Sequence, residues 1–135
     1  MHGPLSVAHN GNLVNAAALR DELLHKGFGL TATSDTEVFT LMLAAAGGRT
    51  WQERIERTLP AWKGAFSLVI LAADQAIAVR DPWGFRPLSV GRLPPRGYAV
   101  ASEPCARPTP GGREVHAIKP STLDISDARD VDRRR

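Results

Sequence analysis

The sequence is short of several things that would each open a class of function. It holds one cysteine, Cys105, in 135 residues, which excludes an internal disulfide framework and any site built on several thiolates. No stretch approaches the roughly 20 apolar residues needed to cross a bilayer. The opening Met1-His2-Gly3-Pro4 lacks the basic region and apolar run of a secretory leader. None of the four histidines stands at a helical ligand spacing from another, so no metal or other cofactor is expected. There is no internal repeat and no low-complexity linker. These absences lead to the expectation of a cytoplasmic protein without a membrane partner.

Charge of one sign is also missing as a block. The net charge is +3 and the pI near 9.6, but basic residues are interleaved with Asp and Glu along most of the chain. Only Arg133-Arg134-Arg135 forms a run, without the aromatic interleaving of a nucleic-acid binder, so it is expected to be part of a solvated tail. No nucleic-acid partner is expected.

What is present suits one globular domain, with 43% hydrophobic and 23% charged residues. Pro4 to His9 predicts a short strand ending in the polar cluster His9-Asn10-Gly11-Asn12, followed by a loop. From Asn15, the apolar spacing of Ala16, Leu19, Leu23 and Leu24 predicts a helix closing at Gly27, with Glu22 and Lys26 paired four apart. Ser34-Asp35-Thr36-Glu37 predicts a second helix opened by a capping box, with Val38, Leu41, Met42 and Ala45 as its buried stripe. Thr50 and Glu53 repeat the device for a third, with Trp51, Ile55 and Leu59 facing inward until Pro60. After Gly64 a hairpin is expected at Ala65 to Leu71 and Ala76 to Val79, with shorter strands at Leu88 to Gly91, Tyr98 to Ser102, Glu114 to Ile118 and Thr122 to Ile125. Three helices followed by antiparallel strands give a layered α+β domain. The expected division is a domain over 1–126 and a charged tail over 127–135.

The chemistry is carried by a combination. His9-Asn10-Gly11-Asn12 sets a side-chain amide beside a backbone that can approach a ligand closely, the donor pair that an acyl-transfer oxyanion needs; alone, an Asn-Gly pair is more often a turn. Asp35 lies in the first turn of a helix, where a carboxylate also complements the dipole. Together, Ala8 to Ala16, Thr33 to Glu37, Arg80-Asp81-Pro82-Trp83-Gly84-Phe85-Arg86-Pro87-Leu88 and Val100-Ala101-Ser102-Glu103 closely resemble the class II glutamine amidotransferases, and within them the amidophosphoribosyltransferase family. The resemblance runs from about Pro4 to about Ala106.

That resemblance implies an incomplete αββα sandwich of the N-terminal-nucleophile hydrolase type. It implies Asn10 and Gly11 as the oxyanion hole, Asp35 as the receiver of the glutamine α-amino group, and glutamine and a phosphoribosyltransferase domain as partners; a homo-oligomer is compatible with it. The reaction implied is release of ammonia from glutamine to form phosphoribosylamine in purine biosynthesis. Arg80 and Asp81 are expected to brace a turn, and His9 to be a scaffold residue.

The family's nucleophile is a cysteine at the mature N-terminus. In these 135 residues His2 follows Met1, and Cys105 has no free amine to activate it. Loss of such a nucleophile costs about a millionfold in rate, so the chain is expected to be inactive alone. Two alternatives share the same residues: a non-catalytic glutamine-binding or interaction module, and part of a sister amidotransferase such as asparagine synthetase.

Overall fold

The computed structural model describes residues 3–92, 98–102, 113–117, 119 and 123–127. Strand β1 (Leu5–Leu13) is longer than the sequence suggests. Asn10, Gly11 and Asn12 form no loop but stand opposite Ser67, Phe66 and Ala65 of β2 (Gly64–Ala72). Ladder pairing with a long apolar strand outweighs the local turn tendency of Asn-Gly. Strict alternation turns Leu5, Val7, His9, Gly11 and Leu13 inward and leaves Ser6, Ala8, Asn10 and Asn12 exposed.

The hairpin of β2 and β3 (Gln75–Arg80) forms as its composition predicts. With β7 (Leu123–Asp127) the first sheet has the order β1-β2-β3-β7 and is antiparallel throughout. A second antiparallel sheet sets β4 (Ser89–Arg92) between β5 (Tyr98–Ala101) and β6 (Arg113–Ala117). Residues 128–135 of the expected tail lie outside the described residues, as does Cys105.

Helices α1 (Ala16–His25), α2 (Asp35–Ala45) and α3 (Trp51–Thr58) arise where the periodicity places them. Asn15 at the start of α1 does not cap it. Its amide donates to the Ala61 carbonyl at 2.9 Å and its oxygen accepts the Lys63 N–H at 3.1 Å, tying the end of β1 to the approach to β2. At the other end the Gly27 and Phe28 N–H groups turn back to the carbonyls of Leu24 and Leu23, a Schellman closure.

The expected capping box of α2 is not made. The Ser34 side chain caps nothing, and the Glu37 carboxylate instead receives the Thr31 N–H at 2.6 Å, the Thr31 hydroxyl at 2.9 Å and the Ala32 N–H at 3.0 Å. Arg20 joins it at 3.4 Å and also donates to the Ala32 and Ser34 carbonyls. The loop before α2 folds back far enough to compete for Glu37, and several donors outbid one. In α3 the Thr50 hydroxyl does accept the Glu53 N–H, at 3.2 Å. Arg54 then donates to the Leu43 and Ala44 carbonyls at 3.2 Å, closing the C-terminus of α2.

The buried face of α2 is Val38, Phe39 and Leu43, with Leu41 and Met42 partly buried and Ala45 exposed. Phe39, Trp62 and Phe66 form the centre of the main core, with ring centroids 4.8 to 5.9 Å apart and near-perpendicular contacts at Trp62. Leu19 and Leu23 of α1, Ile55 of α3 and Phe66, Leu68, Ile70, Ile77 and Val79 of the sheet share this core. On the opposite face of the first sheet, Val69 and Ala78 pack against Val90 and Val100 of the second sheet and Leu88 just before β4. Helices, sheet and sheet are thus stacked in that order, three layers of the expected sandwich.

Candidate functional site

At Gly11, β1 and β2 approach too closely for a side chain. Its φ is 137°, a region open essentially to glycine, and a Cβ there would overlap the Ala65 carbonyl oxygen and approach the Phe66 Cα to 2.8 Å. Gly64 on β2 is its counterpart: φ is 145°, and a Cβ would overlap the Asn12 carbonyl oxygen. Two missing side chains, one from each strand, let the ladder close at this end.

The direction of the Gly11 N–H follows from its neighbours. The Val14 N–H bonds the Lys63 carbonyl at 2.8 Å, on the β2 side. The Leu13 N–H points the other way and is received by the Asp35 carboxylate at 2.8 Å. Because N–H directions alternate along a strand, the Gly11 N–H shares the direction of Leu13, off the edge of β1 that β2 does not cover. The two amides are separated by about 6.8 Å, two residues of strand. Asp35 is half-buried in the first turn of α2, and its second oxygen has no hydrogen bond among the described residues.

Gly11 and Asp35 therefore address one edge of β1. Asn10 differs: its side chain is exposed, leaves β1 on the face away from the helices and makes no hydrogen bond among the described residues. His9 faces the helices, its ring 4.9 Å from that of Phe39. Its Nε2 is buried without a hydrogen-bond partner among the described residues. Burial lowers its pKa below the ordinary histidine value, the Asp35 charge opposes that shift, and the Arg86 charge adds to it. The sequence puts His9 at a strand end and, by resemblance, in a scaffold role; that its ring faces inward depends on which way β1 faces.

Beyond β3 lies a tightly held loop. Asp81 is 0% exposed, and its carboxylate accepts the N–H groups of Trp83 at 3.0 Å, Phe85 at 3.2 Å and Arg86 at 3.2 Å. Arg80 donates to the Gly84 and Arg86 carbonyls, both at 2.8 Å. Each of the two residues braces the turn through its backbone. The loop holds Trp83 and Phe85 outward, 76% and 70% exposed. No cluster of three His, Cys, Asp or Glu side chains suited to a metal occurs among the described residues, and no helix there is long and apolar enough to cross a membrane.

This layered fold is shared with known proteins. The glutamine amidotransferase domain family matches residues 1–106, and the chain belongs to that family. Its similar relatives are amidophosphoribosyltransferases: that of Mus musculus is 40% identical over 91% of this chain and 28% of its own length, and that of Synechococcus elongatus 42% identical over 93% and 27%. Among solved structures, the B. subtilis glutamine phosphoribosylpyrophosphate amidotransferase complexed with ADP and GMP superposes with a TM-score of 0.85 at 37% identity, over 93% of this chain and 27% of that one. The chain spans little more than a quarter of the length of these relatives.

Proposed function

We propose that this chain forms the substrate-holding part of a glutaminase site and serves amidophosphoribosyl transfer, in which ammonia taken from glutamine aminates phosphoribosyl diphosphate to phosphoribosylamine for purine synthesis. Glutamine and a phosphoribosyltransferase domain are its partners on this reading, and the cytoplasm its setting. The observation that carries the proposal is the shared edge of β1, where the Gly11 N–H points and where Asp35 sits on the Leu13 N–H.

The roles follow from charge. When a thiolate adds to the carboxamide carbon of glutamine, the carbonyl oxygen becomes an oxyanion, and an N–H fixed before the reaction stabilises it without reorganisation. Gly11 supplies that N–H and the Asn10 amide the second donor, once its exposed side chain swings to the edge. Asp35 receives the cationic α-amino group on its remaining oxygen, so that glutamine spans the distance between the two amides. The Asp35 oxygen already bonded to Leu13 keeps the carboxylate oriented. None of the three residues is a nucleophile, so the polypeptide 1–135 by itself is expected to bind glutamine without releasing ammonia.

Calorimetric titration tests this. Glutamine should bind. Asp35→Asn should weaken glutamine by about tenfold or more, the worth of one hydrogen bond to a charged group. Equal affinity of the wild type and Asp35→Asn would refute the assignment.

A further inference from the structure

A carboxylate removed from water is costly unless its oxygens are satisfied, and the three N–H groups around Asp81 meet that need. Its own N–H has another duty: it donates to the Phe66 carbonyl at 2.9 Å. Phe66 stands opposite Gly11 in the β1–β2 register, and its Cα, with the Ala65 carbonyl, is the surface that lies against Gly11. The Phe66 ring is fixed separately, in contact with Phe39 and Trp62. Gly11, Phe66 and Asp81 thus form one row across β1, β2 and the residue following β3.

We infer that Asp81 is a positioning residue for the Gly11 N–H, acting through the Phe66 backbone. The inference rests on Gly11 being the oxyanion donor of the proposed glutaminase site. Gly11 has no side chain to anchor it, so the aim of its N–H is set by the neighbouring strand that β1 packs against, β2. That strand is pinned at Phe66 from two sides, by the ring in the core and by the carbonyl on Asp81. The buried carboxylate holds the loop closed and thereby holds the Asp81 N–H in place. A donor displaced by a fraction of an ångström loses much of its effect on an oxyanion.

The test is made on the full chain, isotopically labelled, with L-glutamine as the probe. Asp81→Asn is compared with Trp83→Ala, which alters the same loop at an exposed side chain. Asp81→Asn should shift the Gly11 amide resonance and weaken glutamine binding roughly tenfold, while Trp83→Ala changes neither. Loss of thermal stability in Asp81→Asn with the Gly11 resonance and the glutamine affinity unchanged would overturn the inference and leave Asp81 a stabilising residue only. Should Asp81→Asn not fold, the wild type decides, because coupling is reciprocal: glutamine must shift the Phe66 and Asp81 amides together with Gly11, and a shift at Gly11 alone overturns it. Absence of any glutamine binding by the wild type would instead refute the proposed function, and the Gly11 resonance of Asp81→Asn would still decide the positioning role.

Discussion

The carboxylate of Asp35 accepts the backbone N–H of Leu13 at 2.8 Å, joining residues 22 apart in sequence. The bond does two things at once. It satisfies an amide that the edge of β1 would otherwise leave unpaired, and it fixes the N-terminus of α2 to the strand that carries Asn10 and Gly11.

Asp35→Ala should therefore lose stability as well as ligand. Leaving the Leu13 N–H without its charged acceptor should cost about 1 kcal/mol, toward the low end of the usual range because the site is only half-buried. Urea unfolding should show a lower midpoint with an unchanged slope. A midpoint equal to that of the wild type would show that the bond contributes nothing.

Gly11→Ala and Gly64→Ala should each be severe. The added Cβ meets backbone rather than a flexible side chain, and the positive φ adds its own strain, so each should cost about 3 kcal/mol or more. Denaturant titration of the pair would check this. Substitution at either position without loss of stability would mean that the strands can separate there freely.

His9 should give the fold a pH dependence of known sign. Its folded pKa lies below the ordinary 6.5, chiefly through burial, so as pH falls below about 6.5 the unfolded chain takes up the proton first and stability declines. His9→Phe should abolish that slope and, by removing a buried unpaired nitrogen, raise stability at neutral pH by about 1 kcal/mol. Unfolding curves between pH 5 and 8 that stay parallel for both proteins would contradict this.

Glu37 should show the opposite limb. Its carboxyl is held below the ordinary 4.5, first by the Thr31 N–H and further by Ala32, the Thr31 hydroxyl and Arg20. The stability it contributes is present above that value and is lost as pH falls through the folded one. Glu37→Gln should thus be less stable than the wild type at neutral pH and converge with it in acid. A gap that persists unchanged in acid would rule out the charge as its source.

Much of this architecture was legible because it depends on neighbours in sequence. The three helices follow from apolar spacing, with the Thr50 cap marking the start of α3, and the hairpin from two largely apolar runs separated by Asp74-Gln75. What escaped is decided by partners far along the chain. Asn10 to Asn12 read as a loop because their pairing with Ala65 to Ser67 is invisible locally. Glu37 read as half of a capping box because nothing near it announces that Thr31 and Ala32 will turn toward it. Trp62, outside every predicted stripe, proves central to the core. The candidate site residues come from resemblance; that Gly11 and Asp35 share a strand edge while Asn10 leaves by the other face depends on the register of β1 and the placement of α2.

The most direct measurement is the crystal structure of the chain with glutamine bound. The account predicts a glutamine lying along the outer edge of β1, with its α-amino nitrogen on the free oxygen of Asp35 and its carboxamide oxygen within hydrogen-bond distance of the Gly11 N–H. Glutamine bound elsewhere, or along that edge with its carboxamide on Asp35 and its α-amino group at Gly11, would contradict it.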